Sequence, residues 1–428
     1  MKKTTALFLV AGMATVAIAQ DPTLDQSRAE LANMKADAAN RTSLLAAGSE
    51  AGHDSKGFYM ADGENFRLNV GGQIQFRYNM NFRDQDSAPG ADDEFSNGFQ
   101  TRRTKLEFWG NVINPNLHFK VVGAFDRGDD GNFALEDAWV AYDFNENLTM
   151  TWGQFKSPFM REELVSSKYQ LAVDRSTMNE AFNQDRSQGI QLEWHNDNFR
   201  ILGAFTDGFY SDNTDFTSSG EADFALTGRI EYNTTGDWAR YKDFTSWRSA
   251  DKIGLIFGGA AHYQSEGDTN GTGPLGTAAG TPGVDAEFWG LTGDIGVEGK
   301  GWNLFGAVTW TNTDIDGGFD GDNWGFNIQG GVFITNKDEL FARWDMIFPD
   351  DAVAGDDDDF TTLTFGWNHY FVEESHAAKF TVDLLWYLEA TGDLADSSFA
   401  EYTGEGINLL PSDDDDQWGI RAQFQLLF

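Results

Sequence analysis

The chain has 428 residues, with 30 Lys and Arg against 68 Asp and Glu, a formal net charge of −38 and no cysteine. That balance excludes nucleic acid as a default partner, because neutralising phosphates needs basic patches. The missing thiols exclude disulfide stapling and thiolate chemistry, and six histidines without ligand spacing leave neither a metal site nor another cofactor to expect.

In chain order, Met1-Lys2-Lys3 is a short basic region, Ala6 to Ile18 is apolar, and Ala17-Ile18-Ala19 offers small residues for cleavage. Residues 1–19 therefore read as a secretory signal peptide, too short to span a bilayer. Removing Lys2 and Lys3 from the 30 basic residues leaves 28 against 68 acidic, a net charge of −40. Next, Leu24, Leu31, Ala38 and Leu45 recur every seven residues with Met34 at a matching position, and Arg41 breaks the pattern. Residues 20–56 are expected to form a periplasmic helical tail, either a short coiled coil or a solitary amphipathic helix. The tail should end in a linker at residues 53–56.

Residues 57–428 are assigned to one β domain. From Phe66 the period becomes two: Leu68, Val70, Ile74, Phe76, Tyr78, Met80 and Phe82 share one face, while Asn69, Gln73, Gln75, Arg77, Asn79, Asn81 and Arg83 share the other. A polar face of this length is too wet for a sandwich core and suits a water-filled lumen. Similar runs follow to the last residue, Phe428, and all eight prolines lie between them. About sixteen runs, joined by alternately tight and long connections, predict an all-β transmembrane antiparallel barrel. The acidic stretches at residues 356–359 and 413–416 read as solvated loop tips, since a calcium loop needs spaced ligands and a turn glycine.

Within these runs, Gly98-Phe99-Gln100-Thr101-Arg102-Arg103-Thr104-Lys105-Leu106 resembles the second strand of the phosphate-selective porin O and P family. Trp152-Gly153-Gln154-Phe155-Lys156-Ser157-Pro158-Phe159, followed by Glu162-Glu163-Leu164, is similar to another segment of that family. Asp174-Arg175-Ser176, Gly189-Ile190-Gln191-Leu192 and Thr227-Gly228-Arg229-Ile230 follow in the family's order. The resemblance extends over about residues 66–428. It implies a sixteen-stranded outer-membrane porin, usually trimeric, in which basic residues line a pore narrowed by an infolded loop. The acidity of this chain and its N-terminal tail depart from the family pattern.

By strand parity Arg77, Arg103, Lys105, Lys120, Arg200, Arg229, Arg343, Lys379 and Arg421 point inward, and so do Glu107, Asp126, Asp137, Glu193, Glu231, Asp345 and Asp383. The inward cations fit either an anion filter or a ladder of ion pairs that stiffens the wall. Residues 156–185 form a connection far longer than most and carry Phe159, Met160, Leu164, Tyr169 and Leu171, which solvent does not favour. They are expected to fold into the barrel, the alternative being a surface loop packed on a neighbouring subunit. The expected pore-lining set is Arg77, Arg103, Lys105, Lys120, Lys156, Arg161, Arg175 and Arg229.

The function expected is passive diffusion of small hydrophilic solutes, with anion or phosphate selectivity on one reading and a general or cation-preferring pore on the other. Outer-membrane lipid, small anions and two further copies of the chain are the expected partners. A secreted all-β hydrolase with paired carboxylates, or a carbohydrate-binding barrel using Phe209 and Tyr210, are more distant alternatives. No nucleophile motif supports the first.

Overall fold

Strict alternation leaves each strand with one face for lipid and one for the interior, and a sheet built this way has to close on itself. The computed structural model describes residues 49–54, 57–83, 95–125, 131–217, 221–265, 286–315, 320–350, 359–390, 410, 412 and 415–428. The signal peptide, the heptads of residues 24–45, Asp126 and most of the two acidic stretches lie outside the described residues.

Eighteen strands follow one another: β1 (Ser49–Asp54), β2 (Gly57–Asp62), β3 (Phe66–Phe82), β4 (Phe95–Asn111), β5 (Leu117–Phe125), β6 (Phe133–Asn145), β7 (Leu148–Lys156), β8 (Arg186–His195) and β9 (Phe199–Thr206), then β10 (Phe224–Asn233), β11 (Gly254–Ser265), β12 (Ala286–Gly299), β13 (Trp302–Ile315), β14 (Asp320–Phe333), β15 (Asp338–Phe348), β16 (Phe360–Tyr370), β17 (Ala378–Tyr387) and β18 (Gln417–Leu427). From β3 onward each strand pairs antiparallel with the next, and β18 returns to β3, so sixteen strands form a closed barrel. Closure satisfies every ladder and removes the edges that a bilayer does not tolerate. Residues 49–54, expected as tail and linker, are instead a strand. β1 and β2 make a hairpin from Ser49↔Asp62 to Asp54↔Gly57, and β2 extends the edge of β3.

Side chains follow parity. Ile74, Phe76, Leu226, Ile230, Leu291, Leu304 and Phe365 are exposed on the outer face, whereas Gln73, Gln75, Asn327, Gln329, Gln423 and Gln425 are buried inside. At the seam Phe428 closes on Gly72: Gly72 N donates to Phe428 O at 2.8 Å, and Phe428 N donates to Gly72 O at 3.2 Å. A Cβ on Gly72 would lie 2.4 Å from the Phe428 ring, so only glycine lets the terminal ring pack there.

The apolar core sits inside the barrel. Residues 157–185, with two short helices α1 (Arg161–Leu164) and α2 (Thr177–Phe182), enter the lumen from the rim that carries the long connections. Phe159, Met160, Met178 and Phe182 pack against Ile347, Phe360, Leu385 and Tyr387 of the wall. Val165, Leu171 and Ala172 form a second cluster with Phe305 and Phe341, joined by Phe244. Full burial of each large side chain stabilises the docked loop by about 1.5–3 kcal/mol.

Candidate functional site: a charged path beside two infolded segments

The loop's backbone is fastened by inward polar groups of the wall. Lys379 Nζ donates to Gln170 O (2.8 Å), Asn368 Nδ2 to Leu171 O (2.9 Å) and Arg343 Nη2 to Asp174 O (3.0 Å). Val173 N donates to the Asp383 carboxylate at 3.0 Å. The Asp174 carboxylate accepts from Arg77 (2.5 Å), Arg103 (2.9 Å) and Arg421 (3.4 Å), with Arg102 at 3.9 Å. Burial opposes its charge, but the surrounding guanidinium groups hold its carboxyl well below the usual carboxylate range.

A second segment enters from the opposite rim. Residues 234–253, between β10 and β11, contain a 3₁₀ turn at Trp238–Tyr241 and bury Tyr241, Phe244, Thr245 and Ser246. Phe244 lies 4.8 Å from the Phe305 ring, and its N–H donates to Tyr169 O of the first loop at 3.4 Å. Arg161 Nη2 donates to Tyr241 O at 2.6 Å. The two segments thus meet inside the barrel against the side walled by β10–β18.

Among the described residues, a cavity of about 330 Å³ lies between the first loop and the wall of β3–β8. It is lined by seven cations, Arg102, Arg103, Lys105, Lys120, Lys156, Arg175 and Arg186, and by six carboxylates, Glu107, Glu136, Asp137, Glu163, Glu180 and Asp185. The charges interleave as ion pairs. Lys105 meets Glu136 at 2.5 Å, Lys120 meets Asp137 at 2.7 Å, and Arg186 reaches Asp137 (2.7 Å), Asp185 (2.8 Å) and Glu136 (3.1 Å). On the loop, Glu163 binds Lys156 (2.5 Å) and Arg175 (3.0 Å). Lys168 pairs with Glu107. Burial pushes the Glu180 carboxyl up to about 7, with Arg175 pulling the other way.

Of the eight expected pore residues, Arg103, Lys105, Lys120, Lys156 and Arg175 border this cavity. Arg77, Arg161 and Arg229 do not, because each is committed to the buried contacts that fasten the infolded segments. Arg77 holds Asp174 and Gln423, Arg161 holds the Tyr241 carbonyl, and Arg229 binds Phe159 O (2.8 Å), Asp294 (2.7 Å) and Glu231 (2.9 Å).

Parity missed Arg102 and Glu136 for a local reason. Gln75 faces Arg103 while Phe76 faces Thr101, so Arg102 is the extra residue of a β-bulge in β4. Val122 faces Asp137 while Gly123 faces Leu135, so Glu136 is the extra residue of a bulge in β6. Each bulge turns two consecutive charged side chains towards the lumen. Gly123 accommodates the second, since a Cβ there would lie 1.8 Å from the Phe133 ring. The signal was available: strict alternation would place one of two adjacent charges in lipid, at about 2–4 kcal/mol for arginine near the midplane. Arg186, immediately after the loop, carries no alternation signal.

The sequence profile described as "Phosphate-selective porin O and P" matches residues 72–297, over half of the chain. No curated protein matches the chain. Among solved structures, the fold is similar to an anion-selective porin from Comamonas acidovorans at TM-score 0.57 and 13% identity, covering 84% of this chain and 99% of that one. It is also similar to Salmonella typhi OmpF in complex with daunomycin (TM-score 0.54, 12% identity, 86% and 100% covered). A third likeness is the in-vitro folded outer membrane protein OmpT of Vibrio cholerae in its trimer form (TM-score 0.51, 12% identity, 84% and 98% covered).

Proposed function

The chain belongs to the phosphate-selective porin O and P family and is an outer-membrane β-barrel diffusion channel, and on that premise we propose that solutes cross through the cleft between the first infolded loop and the β3–β8 wall, with a weak preference for anions. One observation carries this reading: in a chain of net charge −38, the lining of this cleft has seven cations against six carboxylates. Fixed charge at the narrowest point sets selectivity, so the local balance outweighs the global one. The preference is weak because the cations are paired, which lowers the potential that a permeating ion meets.

The similar porins named for anion selectivity and for a trimer form support small anions as solutes and a homotrimeric assembly. We further propose that residues 1–19 act as the export signal. The test is the reversal potential across a planar bilayer in a potassium chloride gradient. Lys105→Gln with Lys120→Gln should move it towards cation selectivity. An unchanged reversal potential would refute the proposed path, whereas cation selectivity in the wild-type protein would favour the cation-preferring alternative.

A further inference from the structure

Five charged groups in the cleft form one continuous chain: Lys105, Glu136, Arg186, Asp137 and Lys120. The Glu136 carboxylate lies between two cations, at 2.5 Å from Lys105 Nζ and 3.1 Å from Arg186 Nη2. Asp137 does the same one position on, at 2.7 Å from Arg186 Nε and 2.7 Å from Lys120 Nζ. An oxyanion entering the cleft would seek this ground between a guanidinium and an ammonium group. Here both places are taken by side chains of the wall itself.

The geometry points to Glu136 as a specificity-determining residue, a tethered carboxylate that occupies an oxyanion position between Lys105 and Arg186 and lets anions pass without being held. The inference rests on the proposed permeation path and deepens it. Glu136 is the extra residue of the β6 bulge, so regular pairing would not have put a carboxylate there beside Asp137. A group fixed to the wall competes at the effective concentration of an intramolecular ligand, which a free anion at ordinary concentration does not match. The side chains of Lys105, Glu136 and Arg186 also keep some exposure to the cleft, at 12%, 19% and 11%. Solute can therefore reach these cations once the carboxylate is neutral.

The experiment uses the full chain in planar bilayers, with chloride current as the readout and inorganic phosphate as the probe. In Glu136→Gln the reversal potential should shift towards anions, and the phosphate concentration that halves the chloride current should fall on the order of tenfold. Glu136→Asp should restore both values towards wild type, which a merely structural role would not require. Lys105→Gln, measured in parallel, should shift the reversal potential the opposite way. If Lys105→Gln shifts it and Glu136→Gln changes neither reading, the tethered-anion role is wrong and the path stands. If neither variant shifts it, the path and the inference fall together. If Glu136→Gln does not assemble, Glu136→Ser and Asp137→Asn carry the same two readings, and wild-type phosphate block in both would overturn the role.

Discussion

The two halves of the lumen use the same residue types at the same inward parity for opposite ends. On the side walled by β10–β18, the side chains of Arg229, Asp294, Arg343, Asp383 and Arg421 are each at most 3% exposed, and they fasten loop backbone or one another. On the side walled by β4–β8, Lys120 keeps 31% exposure and Glu136 19%, and their pairs face water. Strand parity fixes the direction of a side chain and says nothing about what meets it there. An inward arginine becomes a buried tie or a cleft-facing charge according to whether an infolded segment arrives opposite.

The largest effect should come from Asp174→Ala, which removes the carboxylate shared by Arg77 and Arg103. Breaking a buried ion-pair centre costs about 3–5 kcal/mol. We expect the first loop to loosen and single-channel conductance to rise with added current noise, and Asp174→Glu to recover part of the wild-type value. Unchanged conductance would erase the distinction between tie and pore charge. Phe244→Ala comes next. A phenylalanine truncated in a packed core costs about 3 kcal/mol or more, and here it should open a second conducting route on the filled side. That route would register as a larger limiting size for permeating neutral sugars in a liposome swelling assay.

Lys120→Gln sharpens the comparison from the open side. Lys120 keeps 31% exposure and Asp137 retains Arg186 at 2.7 Å, so stability measured by heat-induced mobility shift should change by about 1 kcal/mol or less, while the reversal potential moves towards cations. The smallest effect concerns pH. With the Glu180 carboxyl near 7, acidification through that value protonates it and removes one negative charge from the cleft. Anion preference should therefore be greater at about pH 6 than at about pH 8, and Glu180→Gln should abolish that dependence. A pH-independent wild type would mean that Glu180 is not part of the path.

Sixteen strands and their facing were legible because alternation such as Ile74-Gln75-Phe76-Arg77 is dictated by lipid on one side and polar groups on the other. The first infolded loop was legible from its length together with Phe159, Leu171 and neighbouring apolar residues. The second, residues 234–253, was not recognised, although Trp238, Tyr241, Phe244 and Trp247 in a connection at the short-turn rim were a usable sign. Arg161 and Arg229 could not be told from residues that border the cleft, since only tertiary packing brings Tyr241 and Phe159 carbonyls to them. The bulges at Arg102 and Glu136 escaped because counting by two assumes perfect register. The hairpin of β1 and β2 begins at Ser49, inside the stretch read as tail and linker, because its strands are too short to stand out by alternation.

That hairpin has a consequence for how the barrel ends. β3 is longer than the strand that closes it: β18 covers Gln73 to Phe82, and β2 covers Phe66 to Val70. The join falls at Gly72, where Phe428 makes both of its backbone hydrogen bonds. Two strands laid end to end thus occupy one rail of the sheet. An incoming strand from another chain finds no vacant stretch of β3 to template on, which is the hazard that a bare strand edge presents in the periplasm. A peptide appended after Phe428 would run straight into Gly57, so a tag fused there should unseat the hairpin, whereas one placed before Ser49 should not.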